Sequence, residues 1–226
     1  MSNYVTGPTT FDQLRWSSQV FRTLSDDATC IAARDDAFRG PILSGQADAD
    51  WPALIGYVNQ WGCRIPQHKA ESIAAAVSNA ARYLEPMAAS SLEFDDLRCS
   101  TLDVVERAFD CLTEANGVGP TGASAILTVI NPQLFVSWGA GIRDAYFPQD
   151  RPNGATYSQF LTVMRMAALT IAADARVKHG IEDPAGALSE QLGIDPPFSL
   201  AKFVDEYNWV TLERSLAYQE GVAAAV

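Results

Sequence analysis

Lysine is nearly missing from this chain, since Lys69, Lys178 and Lys202 stand against thirteen arginines. Histidine is scarcer still, with only His68 and His179, too far apart in sequence to furnish a histidine-rich metal site or a Ser-His-Asp triad. The four cysteines, Cys30, Cys63, Cys99 and Cys111, contain no C-x-x-C pair. They therefore read as reduced packing residues, and neither a zinc cage nor a dense disulfide framework is expected. Long hydrophobic runs are also lacking. Ala123 to Ile130 is interrupted by Ser124 and Thr128 and ends at Asn131-Pro132, well short of the roughly 18 apolar residues that a membrane span requires. The opening residues, MSNYVTGPTT, hold neither a basic leader nor an apolar stretch, so export is not expected and a cytoplasmic location is. Positive charge is short overall, with 16 basic against 27 acidic side chains and a net charge of −11. An acidic body repels a polyanion, so indiscriminate nucleic-acid binding is excluded and any DNA contact must be local. No cofactor, metal or membrane partner is implied.

What remains is an ordinary globular composition, 48% apolar and 19% charged over 226 residues. At about 150 residues per domain this suffices for one large core or two small lobes. Apolar residues recur at intervals of three and four while period-two alternation is absent, so the fold class is all-α. The spacing predicts helices from about Thr10 to Leu24, from near Asp50 to Trp61-Gly62, and from Pro66 to Leu84. Further helices are expected at Leu102 to Leu112, Pro120 to Ile130, Ile142 to Phe147, Tyr157 to Lys178 and Ser199 to Gln219. The stretch Gly180 to Pro197, punctuated by glycine and proline, reads as a connector.

The most informative string is CLTEANGVGPTGASAILTVINP, from Cys111 to Pro132. Two helices meet at Gly117-Val118-Gly119-Pro120, where glycine permits backbone angles that a side chain forbids and proline presets the first turn of the second helix. Such a turn directs unpaired amides outward at a helix N-terminus, a phosphate seat that needs no lysine. Val118 would plug the gap between the two helices. Upstream, PALIGYVNQWGCRIPQHKAESI, from Pro52 to Ile73, runs from a helix through a polar loop into a Lys-Ala helix.

In this order of segments the chain resembles the helix-hairpin-helix DNA glycosylase superfamily, over about Trp51 to Phe147. The resemblance implies a two-lobed all-α fold. Residues 1–50 would be N-terminal helices packing on the core, 51–147 the core with its hairpin at 102–131, and 148–226 C-terminal helices completing the lobes. It implies that Gly117, Val118, Gly119 and Thr121 bind double-stranded DNA, and that Asn59, Gln60 and Arg64 probe the duplex where the target base has left.

Two departures qualify the chemistry. Lyase members carry a lysine just past the hairpin glycines, where this chain has Thr121, so a Schiff-base nucleophile is missing there. The catalytic aspartate expected from the family falls at Gly139, within Ser137-Trp138-Gly139-Ala140-Gly141. Asp144 is the nearest acid in sequence and is the first candidate for a relocated carboxylate, with Asp103 and Asp174 behind it; the alternative for Asp144 is a helical pairing with Arg143. Trp138, Gly139 and Gly141 are the candidate base pocket. Trp138 either stacks on an extruded base or packs in the core, and the glycines either make room for an enlarged base or serve as turn residues.

Three readings follow. One is a monofunctional glycosylase that flips and excises a modified base, for example a decorated cytosine of the kind found in phage genomes, leaving an abasic site as part of phage defence. The second is a catalytically inactive hairpin module that binds nucleic acid or a protein. The third is an unrelated all-α enzyme. Near the C-terminus, Phe203 to Trp209 reads as a lid helix whose outer face carries Asp205 and Glu206, turned away from nucleic acid.

Overall fold

A computed structural model of the chain describes residues 7–25, 40, 42, 46, 49–93 and 99–214. Among these residues every regular element is helical and there is no strand. The expectations for Cys30, for most of the polar stretch from Ser44 to Asp50 and for the end of the chain after residue 214 lie outside the described residues.

Helix α1 (Phe11–Leu24) opens on a reciprocal cap: the Thr10 hydroxyl accepts from the Gln13 N–H, and the Gln13 side chain accepts from the N–H groups of Thr9 and Thr10. Helix α2 (Trp51–Asn59) opens on the Asp50 carboxylate, which accepts from the Ala53 N–H at 2.9 Å, and on Pro52 in its first turn, where no donor is lost. Pro66 is extended (ψ 138°), so the next helix starts later than its sequence signal, after a 3₁₀ turn at Gln67–Lys69 that leads into α3 (Ala70–Leu84).

Helices α4 (Cys99–Thr113) and α5 (Gly119–Ile130) flank the hairpin. Helix α5 stops at Asn131, whose Nδ2 donates to the carbonyls of Met87 and Ser90 while Pro132 blocks continuation. A short α6 (Ala140–Tyr146) leads to the long α7 (Gly154–Asp174). Gly154 is required at the start of α7, because a Cβ there would overlap the backbone of Glu106 in α4. The same residue's N–H donates to Asp110 of α4 at 2.7 Å. After α7 the chain widens into a π-helical turn, Ala175–His179.

The connector predicted for Gly180 to Pro197 contains a helix, α8 (Pro184–Leu192). Its punctuation marks helix ends rather than loop. Asp183 caps the Gly186 N–H, Pro184 occupies the first turn, and Gly193 closes the helix in the left-handed region (φ 68°). The last helix, α9 (Leu200–Asn208), is capped by Ser199 and passes into a second π-helical turn, Trp209–Glu213.

One hydrophobic cluster runs from Phe11 in α1 to Val204 in α9. Its centre is aromatic: Phe109 stacks on Tyr157 at 4.5 Å, Trp138 stacks on Phe160 at 5.8 Å, and the Tyr157 hydroxyl donates to the Val136 carbonyl. Asp205 and Glu206 are not on an outer face, contrary to the lid-helix expectation. Glu206 is wholly buried and receives Arg22 of α1 at 2.8 Å, and the Asp205 side chain is only 14% exposed. Glu206 thus faces α1, while Asp205 on the adjoining face accepts from the Ser137 N–H.

Candidate functional site

The hairpin connection is tight. Gly117 (φ 95°) and Gly119 (φ 60°) both occupy the left-handed region, and the Val118 side chain between them is buried. Val118 supplies no side-chain cap to α5, so the first-turn N–H groups of that helix have no side-chain acceptor. Gly117 is exposed and lies against Pro66 and the aliphatic stem of Lys69, which brings an ammonium to the hairpin that the sequence spacing did not single out. Gly122, one turn on, faces Ile65 and Val118 so closely that a side chain there would crowd both.

The loop that follows α2 is braced from inside. Asn59 Oδ1 accepts from the Ile65 N–H at 2.6 Å and its Nδ2 donates to the Ile65 carbonyl at 2.8 Å. The Asn59 amide thus braces the loop that the resemblance expects to probe the duplex. Gln60 and Arg64 are exposed, and Arg64 is held at φ 55°, a conformation rare for a residue with a side chain. Gly62 (φ 82°) allows the reversal between them.

The centre of the site is at Gly139. A Cβ on this residue would overlap the carboxylate of Glu213, which comes from the π-helical turn after α9. Glu213 accepts from the N–H groups of Gly141 and Ile142 at the start of α6, and Arg143 lies near enough to favour its charged form. Burial outweighs these donors and raises its pKa above the ordinary glutamate value. Oε1 is buried without a hydrogen-bond partner. A carboxylate therefore fills the space beside residue 139, but it is delivered from the far end of the chain. The room expected from the glycines is taken up by it.

Arg143 fixes this arrangement. Its Nη1 donates to Thr121 Oγ1 at 2.8 Å and to the Trp138 carbonyl at 2.6 Å, and its guanidinium lies 5.7 Å from the Trp138 ring centre. The start of α5 and the loop before α6 are tied by one side chain. Thr121, Gly139 and Glu213 line a cavity of about 60 Å³, large enough to hold water. Trp61, Ala125, Ser137 and Asp205 separate it from a larger chamber of about 380 Å³ and line both spaces. Asp205 Oδ1 accepts from the Ser137 N–H at 2.9 Å, while Lys202 Nζ stands 3.6 Å from Asp205 and from Glu206.

Asp144 and Trp138 line neither space. Asp144 is exposed, because it falls on the solvent side of α6. Trp138 is 1% exposed, enclosed by Phe109, Phe147, Tyr157 and Phe160, so its ring face is spent in the core. Gly141 is likewise buried and offers its N–H to Glu213. Asp103 is exposed on α4, and Asp174 accepts from the Phe11 N–H at 2.9 Å and pairs with Lys178, away from the hairpin. The residues that sequence reasoning missed are Glu213, Asp205 and Lys69. No local signal marks Glu213, which stands between Leu212 and Arg214. Among the described residues no group of three or more His, Cys, Asp or Glu is placed to hold a metal ion, and no helix is long and apolar enough to cross a membrane. Comparisons with family models, with curated proteins and with solved structures return no match for this chain.

Proposed function

We propose that this protein is a helix-hairpin-helix DNA glycosylase-like enzyme that extrudes a modified base from duplex DNA and hydrolyses its N-glycosidic bond, with Glu213 as the acting carboxylate. The observation that carries this reading is the Glu213 carboxylate seated beside Gly139, the position at which the resemblance expects an aspartate. The hairpin N–H groups of Gly119 and Thr121, with Lys69 beside Gly117, supply a local phosphate seat on an otherwise acidic chain. Gln60 and Arg64, exposed on a braced loop, are suited to enter the duplex.

In this reaction the bond between the base nitrogen and the sugar C1′ breaks and its electron pair leaves with the base. Positive charge develops on the sugar, which the Glu213 carboxylate stabilises. Glu213 also takes one proton from a water as that water's oxygen bonds to C1′, and the departing base gains a proton from solvent or from a neighbouring donor. With Thr121 in place of a lysine there is no amine for a Schiff base at the hairpin, so the product is an intact abasic site. The larger chamber accommodates an enlarged base, which supports a decorated substrate and a role against phage DNA.

The test is to incubate the protein with duplexes bearing modified cytosines or ordinary bases and to assay alkali-labile breaks. Base release from a modified duplex, lost in Glu213→Gln, is the expected result. Salt-dependent binding with no release from any duplex points instead to a silent binding module, and no binding at low salt overturns the assignment.

A further inference from the structure

The chamber of about 380 Å³ is lined by three carboxylates, Glu93, Asp183 and Asp205, and by one ammonium, Lys202. Lys202 is itself committed. Its Nζ lies between Asp205 and Glu206 and 4.7 Å from the Phe21 ring centre, and the residue is 8% exposed. Glu93 Oε2 is buried and has no hydrogen-bond partner, although the carboxyl also receives the backbone N–H of Leu200. A buried acceptor without a donor is costly unless an occupant supplies one. Apolar lining comes from Ala125 and Val129 of α5 and from Trp61 of the α2 loop, whose ring also stacks on Phe21 at 5.9 Å. Such a space takes a ring against its apolar lining and hydrogen-bond donors beside its carboxylates.

From this geometry we infer that the chamber selects a base whose outer edge or substituent carries amino or hydroxyl donors, and rejects one carrying a carboxylate or phosphate. The inference rests on the reading of the site as a base-extruding one and adds the chemistry of the substituent. Glu93 and Asp183 are the selecting groups: Asp183 stands at the N-terminus of α8, and Glu93 approaches that of α9. Asp205 closes the inner end beside Ser137.

The test uses Glu213→Gln as a non-cleaving trap and two duplexes alike except for one central cytosine, which bears a 5-aminomethyl group in one and a 5-carboxyl group in the other. Fluorescence anisotropy should show the aminomethyl duplex bound about tenfold or more tighter. Adding Glu93→Gln should remove most of that preference; adding Asp183→Asn, which keeps an N-cap side chain, should reduce it. Equal binding, tighter binding of the carboxyl duplex, or a preference unmoved by Glu93→Gln overturns the inference. Release of either base by the unsubstituted protein would then leave the glycosylase reading standing. A preference that shifts as expected without any release sustains the chamber's selectivity and removes the glycosylase reading, and absence of binding to both duplexes removes the two together.

Discussion

Burial disfavours the Glu213 anion more than the Gly141 and Ile142 N–H groups and Arg143 favour it, and this balance predicts opposite pH responses for activity and stability. The proposed hydrolysis needs the ionised form. Base release should therefore fall on acidification at a pH above the ordinary glutamate value of about 4.3, and a rate–pH profile that is flat across that region would contradict the role. Stability runs the other way. The folded state holds this proton more tightly than the unfolded chain, so the contribution is fully present below the unfolded pKa and is lost as pH rises through the raised, folded one. Glu213→Gln removes that penalty. Its melting temperature near pH 7 should equal or exceed that of the parent, while the rate of base release drops by about 10²- to 10⁴-fold. Cys63 reports on the same environment. Burial first, and the Glu213 charge second, push its thiol up to about 12. It should resist iodoacetamide at pH 8 in the folded protein and react once the chain is unfolded, as mass spectrometry of the labelled cysteine would show.

At the scale of elements, the hairpin depends on two residues that no side chain should replace. Gly117→Ala and Gly119→Ala each force a Cβ into the left-handed region, at about 1–2 kcal/mol apiece. The double variant should keep its circular-dichroism helicity and lose duplex binding in a gel shift at low salt. Retained binding in such a folded variant would show that the turn only joins two helices. The helices themselves were largely legible: the Thr10 and Asp50 caps, the Pro120 start and the Asn131-Pro132 stop are local signals that act within one turn of chain. Helix α8 is concealed in the sequence for a reason of the same scale: the prolines and glycines of residues 180–197 predict a connector, whereas Pro184 opens a helix and Gly193 closes it.

Across the whole molecule, α1 and α9 are joined by Arg22 and Glu206, a pair that brings a fully buried carboxylate against a guanidinium also resting over Phe198 at 5.0 Å. Lys202 completes the set from within α9. Arg22→Met leaves the buried Glu206 short of its principal counter-charge and should lower the unfolding free energy in urea by about 3 kcal/mol; adding Glu206→Met should recover much of it. The π-helical turn that carries Glu213 follows directly on α9, so loosening this contact should also weaken base release beyond what the loss of stability alone explains.

Composition, periodicity and local caps determined by themselves that the chain is helical, that it carries a net negative charge, and that a glycine turn joins α4 to α5. These properties depend on neighbours within a few residues and are written where they act. The partner of Gly139 depends on distance instead. Only the packing of α9 against α1, and the wider turn that follows it, decided that a glutamate from the end of the described chain meets the loop before α6. The same packing turned Trp138 into core, left Asp144 in solvent and opened the two cavities side by side, because each outcome is set by the burial of faces far apart in sequence and by no residue's own preference.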